Sequence, residues 1–218
     1  MYSNPHATAG TMPTLPANAA KSSEGDLSGL DALGVVVTLS RGEALFREGD
    51  TASRYYKVVS GAIRSCKLLP DGRRHIGDFF LAGDFIGLNA LESYAFTAEA
   101  VADATLVRYK RRDVEALALS DPRIGKSLLG RLCSDLSQAH ARMLLLGRMN
   151  AQERLANFLL RMAQRSAACG ANLVSLPMTR TDIGDYLGLT TETVCRTLAQ
   201  LKNSGLIDAP SSHEVRVL

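Results

Sequence analysis

The chain lacks the residue patterns that mark most chemistries. Its 218 residues hold no Ser/His/Asp set, no cluster of His, Cys, Asp or Glu at metal-ligand spacing, and no glycine-rich phosphate cradle. An enzyme would have nothing to work with, and a bound metal would find no ligands. The four cysteines, Cys66, Cys133, Cys169 and Cys195, never fall in a CxxC spacing. That excludes a zinc framework and a disulfide framework, and a reducing cytoplasm is the natural setting. No apolar run approaches the roughly 18–20 residues that a membrane helix needs, so no membrane partner is expected. No basic segment followed by an apolar one opens the chain, so no export signal is expected either. Excess charge is small: the formal net charge is +3, which permits nucleic-acid binding without arguing for it. A hydrophobic content of 46% is that of a globular protein, and the length allows one to two domains.

What is present changes character along the chain. Residues 1–25 are rich in Ala, Pro, Thr, Ser and Asn, carry little charge and read as a disordered tail. A short helix is expected around Leu27–Leu33. From Val35 to Arg112, alternating runs are split by Gly42, Gly49, Gly61, Gly72, Gly77, Gly83 and Gly87. This pattern predicts strands of about five residues in a small antiparallel barrel or roll, with a hairpin turn at Asp71-Gly72. The period then becomes helical. Asp121-Pro122 can start a long helix, along which Leu129, Leu132, Leu136, Ala139, Met143 and Leu146 recur at alternating spacings of three and four. Such a heptad seam fits either an ordinary helix packed on its own barrel or a parallel two-chain contact. Pairing to match a two-fold DNA site favours the second. After a break at Gly147 and Asn150, Ala151–Arg165 reads as another amphipathic helix, and Ser166–Asn172 as a polar loop.

Residues 179–207 carry the most information. Ile183 and Leu187 share one helix face, and Gly188 marks a tight turn where a side chain would crowd the next helix. Thr190 can cap a second helix whose apolar face is Val194, Leu198 and Leu201. Its outer face carries Thr191, Glu192, Cys195 and Arg196 near the N-terminus, where a recognition helix presents side chains to base edges of the major groove. Arg180 stands at the start of the first helix. The alternative, an αα-hairpin that binds nothing, has no use for these exposed groups. Gly205 opens a short segment that alternates like a β-hairpin wing.

A roll, a long helix and a C-terminal winged helix-turn-helix, in that order, resemble the CRP/FNR superfamily of bacterial transcription regulators. The likeness rests on Gly42-Glu43, Leu45–Asp50 (LFREGD), Ser60–Arg64 (SGAIR), Gly83–Gly87 (GDFIG) and the helix-turn-helix. Phe96–Ala100 (FTAEA) and Glu192–Arg196 (ETVCR) are most similar to the FixK branch. The resemblance implies an α+β fold: a cyclic-nucleotide-binding-type β-roll over 26–120, a dimerisation helix over 121–149 and a winged helix-turn-helix over 150–218. It also implies a homodimeric activator of microaerobic, anaerobic or nitrogen-fixation genes, bound to double-stranded DNA at TTGA-type inverted repeats. Glu192 and Arg196 would read the G·C step of each half-site; Thr191, where cAMP-type relatives have arginine, would leave their extra guanine unread. Thr179, Arg180 and Thr190 would hold the DNA backbone.

The resemblance also frames the ligand question. Relatives that bind cyclic nucleotide use a glutamate and an Arg-Ser pair, and here those positions are Leu88, Phe96 and Thr97. A phosphate would have no guanidinium, so cAMP is rejected, and Leu88, Tyr94 and Phe96 are expected to fill the roll. An iron–sulfur cluster needs four thiolates or close substitutes, and no cysteine precedes Cys66. No cofactor is therefore expected. The alternative is a haem- or small-molecule-sensing regulator, for which His75 and His140 are the available imidazoles. Asp71 and Arg73 in the Leu69–Arg74 hairpin, together with the 166–172 loop, are candidate contacts for RNA polymerase. Cys195, near a helix N-terminus and beside Arg196, is a candidate redox residue, because both neighbours favour the thiolate.

Overall fold

The structure, a computed structural model, describes residues 27–167 and 173–218. The expected tail over 1–25 lies outside them, as does most of the expected 166–172 loop. Ser166 and Ala167 still belong to the helix before that loop.

A 3-10 segment, Ser28–Leu33, leads into six antiparallel strands: β1 (Val35–Leu39), β2 (Ala44–Phe46), β3 (Arg54–Leu68), β4 (Arg74–Leu81), β5 (Phe85–Ile86) and β6 (Thr97–Lys110). The order is β1-β6-β3-β4, with β2 on β6 and β5 on β3. The expected strands of about five residues are not what forms, since β3 has 15 residues and β6 has 14. Gly61 explains the difference. It sits inside β3 at φ +82°, where the register against β6 shifts, and a Cβ there would lie 2.2 Å from the Asp103 carbonyl oxygen. This glycine marks a bulge within one long strand rather than a break between two.

The interior of the roll is apolar. Tyr56, Val58, Ile63, Ile86, Tyr94 and Leu106 are buried there, and Phe46 stacks on Tyr94 at a ring separation of 3.6 Å. Tyr94 therefore fills the roll as expected. Leu88 and Phe96 do not. Leu88 packs outside it, against the group formed by Tyr55, Phe85 and Tyr109, and Phe96 is half-exposed over Gly77.

Three helices follow: α1 (Arg111–Ser120), α2 (Pro122–Arg148) and α3 (Ala151–Ala167). Asp121 caps α2 by accepting from the Arg123 amide at 2.9 Å, and Pro122 occupies the first helical position, where its missing N–H costs nothing. The C-terminal head comprises β7 (Leu173–Ser175), α4 (Arg180–Leu187), α5 (Thr191–Asn203), β8 (Ile207–Ser211) and β9 (Glu214–Val217). The wing is a three-stranded sheet, β7-β9-β8, and not a lone hairpin. At three residues, β7 is too short for its alternation to be read.

Besides the roll's own interior, a second cluster is shared between roll and head. Ala62, Cys66, Ile76, Phe79 and Val101 of the roll join Leu155, Phe158, Leu159 and Met162 of α3 and Ile183, Tyr186 and Leu187 of α4 in one buried cluster.

Within the head, Gly188 ends α4 at φ +64°, a left-handed position that favours glycine. A Cβ there would meet only the Arg154 guanidinium, at an ordinary 3.7 Å. Crowding, expected at Gly188, falls instead on Gly184, where a Cβ would stand 2.6 Å from the Leu189 carbonyl oxygen. Gly184 thus lets the α4–α5 turn fold back on its own helix. Gly184→Ala should force that turn open and lower stability by about 1–3 kcal/mol, the usual range for overpacking, as read from the urea midpoint. A midpoint equal to wild type would show that the turn yields freely.

Candidate nucleic-acid interface

The head is built by short-range chemistry. Thr179 caps α4 in a capping box: its hydroxyl accepts from the Asp182 amide at 3.1 Å, and Asp182 Oδ2 accepts from the Thr179 amide at 3.1 Å. Thr190 caps α5, its hydroxyl accepting from the Thr193 amide at 3.2 Å. Both proposed backbone-contacting threonines therefore have their hydroxyls engaged within the head. Val194, Thr197, Leu198 and Leu201 turn the inner face of α5 onto α3 and α4.

On the outer face of α5, Glu192, Cys195 and Arg196 are exposed and lie within the first two turns. Thr191 is half-buried and donates to the Thr181 hydroxyl at 3.3 Å, so it ties α5 to α4 as well as facing outward. The structure thus brings the four predicted base-reading residues to one end of one helix. The Glu192 carboxyl is held below its ordinary value by the backbone amide of its own residue and by Thr190, in keeping with a helix N-terminus. Glu192 presents acceptors and Arg196 presents donors, the pair needed for cytosine N4 and for guanine O6 and N7.

Arg180 differs from expectation. It is half-buried beside Cys195, and its Nη1 is buried without a hydrogen-bond partner among the described residues. Burial pushes the guanidinium down from its ordinary value, and the Cys195 sulfur partly offsets this. The Asp71–Arg73 hairpin tip is exposed, and its two charges pair with each other at 2.7 Å.

Along α2, the predicted seam separates into two classes. Leu129, Leu136 and Met143 are 61%, 57% and 70% exposed, whereas Leu132, Ala139 and Leu146 are half-buried. The helix also turns a second face toward its own roll: Arg131 pairs with Asp84 at 2.6 Å and Arg142 with Asp78 at 2.9 Å. An exposed row at sevenfold spacing therefore runs opposite a row of ion pairs.

Sequence reasoning missed the residues that join head to roll. Asp182, on α4, is 1% exposed and accepts from Arg64 Nη1 of β3 at 2.9 Å and from Arg74 Nη2 of β4 at 2.6 Å. Arg74 also donates through Nε to Asp185 at 2.8 Å. Tyr186 lies between the guanidiniums of Arg142 and Arg161, each about 5.4 and 5.3 Å from its ring centre, and against Phe79 of the roll. Arg64 stands in the SGAIR motif, but nothing local in that motif names a partner so far along the chain.

The buried cluster inside the roll is made of apolar side chains together with the two tyrosines Tyr56 and Tyr94. Thr97 accepts from the Glu48 amide at 3.0 Å and is committed to the roll's own turn. His75 is half-buried on β4 and His140 exposed on α2, on separate elements. Cys66 is buried in the roll–head cluster, where burial pushes its thiol up, and Cys133 is exposed on α2. Among the described residues, no helix is long and apolar enough to cross a membrane.

Comparison with known proteins places these features. Residues 153–218 match the Crp-like helix-turn-helix domain, and residues 36–121 match the cyclic nucleotide-binding domain. The chain is 46% identical over 187 residues to the nitrogen fixation regulation protein FixK of Azorhizobium caulinodans, covering 84% of this chain and 75% of that one. It is 34% identical over 201 residues to the transcriptional activator protein FnrA of Stutzerimonas stutzeri, covering 88% and 82% of the two chains. The solved structure of FixK2 from Bradyrhizobium japonicum matches with a TM-score of 0.80 at 41% identity, over 84% of this chain and 92% of that one.

Half-buried but not sealed off, Arg180 should still add one ion contact at the start of α4, where the first-turn amides favour a phosphate. Arg180→Ala should then weaken binding to all duplex sequences alike and lower the salt slope by about one unit per subunit. An unchanged slope would assign Arg180 to packing within the head.

Proposed function

Because the chain belongs to the CRP/FNR superfamily of transcription regulators, in its FixK-like branch, we propose that it acts as a homodimeric, ligand-independent activator at TTGA-type inverted repeats. That it is a DNA-binding transcription regulator follows from the family. The palindromic site, the dimer and the absence of a nucleotide or cluster requirement are the finer reading. So are its setting in the cytoplasm, its contact with RNA polymerase and its target genes of nitrogen fixation or anaerobic growth, the last drawn from what its relatives are named for.

One observation carries this reading: Glu192, Cys195 and Arg196 stand free at the N-terminal end of α5 while the inner face of that helix is buried. In the proposed complex, α5 lies in the major groove. Glu192 accepts from cytosine N4, and Arg196 donates to guanine O6 and N7. Thr191 and Cys195 border this pair, and oxidation of Cys195 would place bulk, and at the sulfinic stage charge, against the DNA. Thr179, Arg180 and Thr190 sit at the two helix starts, where amides and a cation meet phosphates. The Asp71–Arg73 tip is the surface offered to polymerase, because it is exposed and its two side-chain charges pair with each other.

The dimer rests on the row formed by Leu129, Leu136 and Met143, with Leu132, Ala139 and Leu146 beside it. Apolar side chains at this spacing lose their exposure when a second α2 packs alongside, as in a parallel coiled coil.

Two measurements test the reading. Arg196→Ala should cost about 1–3 kcal/mol per half-site and relax the choice at the guanine, in a binding series over substituted half-sites. Equal loss on every sequence would make Arg196 a phosphate contact. Leu136→Glu would bury an unpartnered charge in the seam at a cost of several kcal/mol. Sedimentation should show a folded, mostly monomeric protein that fails on the palindrome, whereas a normal dimer would refute the seam.

A further inference from the structure

A connected set of ion pairs joins the head to its own roll. On the roll, Glu99 of β6 fixes Arg64 through Nε at 3.2 Å and Nη2 at 2.8 Å, so Arg64 has one arm left, and that arm reaches Asp182. Arg74, a strand away, bridges Asp182 and Asp185, one helical turn apart on α4. Next to Asp185, Tyr186 is held by Arg142 of α2 and Arg161 of α3, and both arginines are anchored on Asp78 of β4, at 2.9 and 3.1 Å. Asp84 repeats the pattern, receiving Arg131 of α2 and Arg165 of α3. Thus α4 is tied by its 182, 185 and 186 face to β3 and β4, and the same β4 is tied to α2.

This arrangement has a geometric meaning for a dimer that reads two half-sites. The path from the seam on α2 to the reading helix α5 has more than one route. One is the covalent turn at Met149-Asn150, between α2 and α3, braced by Arg154 of α3, which donates to the Leu146 and Met149 carbonyls at 2.9 Å each and to the Leu187 carbonyl of α4 at 3.1 Å. Another runs from α2 through Asp78 to β4, then through Arg74 and Arg64 to α4, and so to α5. The route through β4 ties each α5 to the roll as well, and so adds a constraint on the distance and rotation between the two reading helices.

We propose that Arg64 and Arg74 are positioning residues for half-site spacing: they touch no base, yet they decide which separation of half-sites the dimer accepts. The inference rests on the dimeric DNA-reading proposed above. Physically, binding of the second head is intramolecular, and its effective concentration is high only at the positions the head occupies. A head held at one place matches one spacing. A head on a loose tether spreads over several, gaining at wrong spacings and losing at the right one. One added base pair moves a half-site by about 3.4 Å and turns it by about 34°, a mismatch that a fixed head cannot follow.

The test is a set of duplexes carrying the same two half-sites with the central spacer at its optimum, one base pair shorter and one longer. They are bound by full-length wild type, Arg64→Ala/Arg74→Ala, and Asp185→Asn. Wild type should discriminate between optimal and altered spacers by more than about tenfold, and the double variant by less than about threefold, with Asp185→Asn between them. Guanine discrimination within a half-site should stay as in wild type, because no residue of α5 is changed and the Thr179 and Thr190 hydroxyl caps remain; this readout confirms that the head remains folded although Asp182 has lost its two guanidiniums. Where the double variant does not fold, Arg74→Gln takes its place, since Arg74 is half-buried at the edge of the seam. Wild-type spacing discrimination in a folded variant overturns the inference and leaves the dimeric reading intact. Absence of spacing discrimination in wild type itself overturns the dimeric reading and the inference with it.

Discussion

A single carboxylate, Asp182, bears on more of this molecule than any other group. One of its oxygens closes the capping box that starts α4, and the other receives guanidiniums from two strands of the roll. It is almost fully buried, so its charge is tolerable only because both arginines are present. Removing either partner would leave charge in a low-dielectric place, which is more costly than never having buried it. The head's internal fold and its attachment to the roll therefore share one atom group. Gly184, Tyr186 and the α4–α5 turn are arranged around that fixed point.

The division of labour on α2 follows from similar physics. Arg131 and Arg142 face the roll, where Asp84 and Asp78 offer half-buried partners, and four large apolar side chains, Leu129, Leu136, Met143 and Leu144, face outward. Ile124 and Leu128 of the same helix pack on the roll, so the outward apolar row is surplus to the chain's own core. In the proposed dimer that row would meet its counterpart on a second chain.

Sequence showed some of this architecture clearly and hid the rest, for physical reasons. The helix-turn-helix was legible because its signals are local. Thr179 and Thr190 act on amides three residues away, Gly188 acts through its own φ, and Val194, Leu198 and Leu201 repeat along one helix. The outer residues Glu192, Cys195 and Arg196 followed from the same periodicity. Gly61 misled because a glycine that permits a close backbone approach looks, in sequence, like one that ends a strand. Sequence alone points to crowding at Gly188 where Gly184 carries it, because only the fold shows which carbonyl stands over which Cα. The roll–head seam was invisible: Arg64 and Asp182 are 118 residues apart, and each alone resembles an ordinary surface charge.

The shared core has a consequence for how the chain acquires its fold. Ile76, Phe79 and Val101 of the roll complete their burial only against Phe158, Leu159 and Ile183, which come much later in the chain. Contacts of such sequence separation form slowly, since a long loop must close before they return any energy. A nascent roll therefore waits with an apolar face open until α3 and α4 have been made, the kind of surface on which partly folded chains aggregate. The four arginines directed at Asp78 and Asp84 come from α2 and α3, so those aspartates also lack their partners during that interval, and their charge lies beside the open apolar face. The residues that later seat the head thus act earlier, as hydrated guards on an incomplete core.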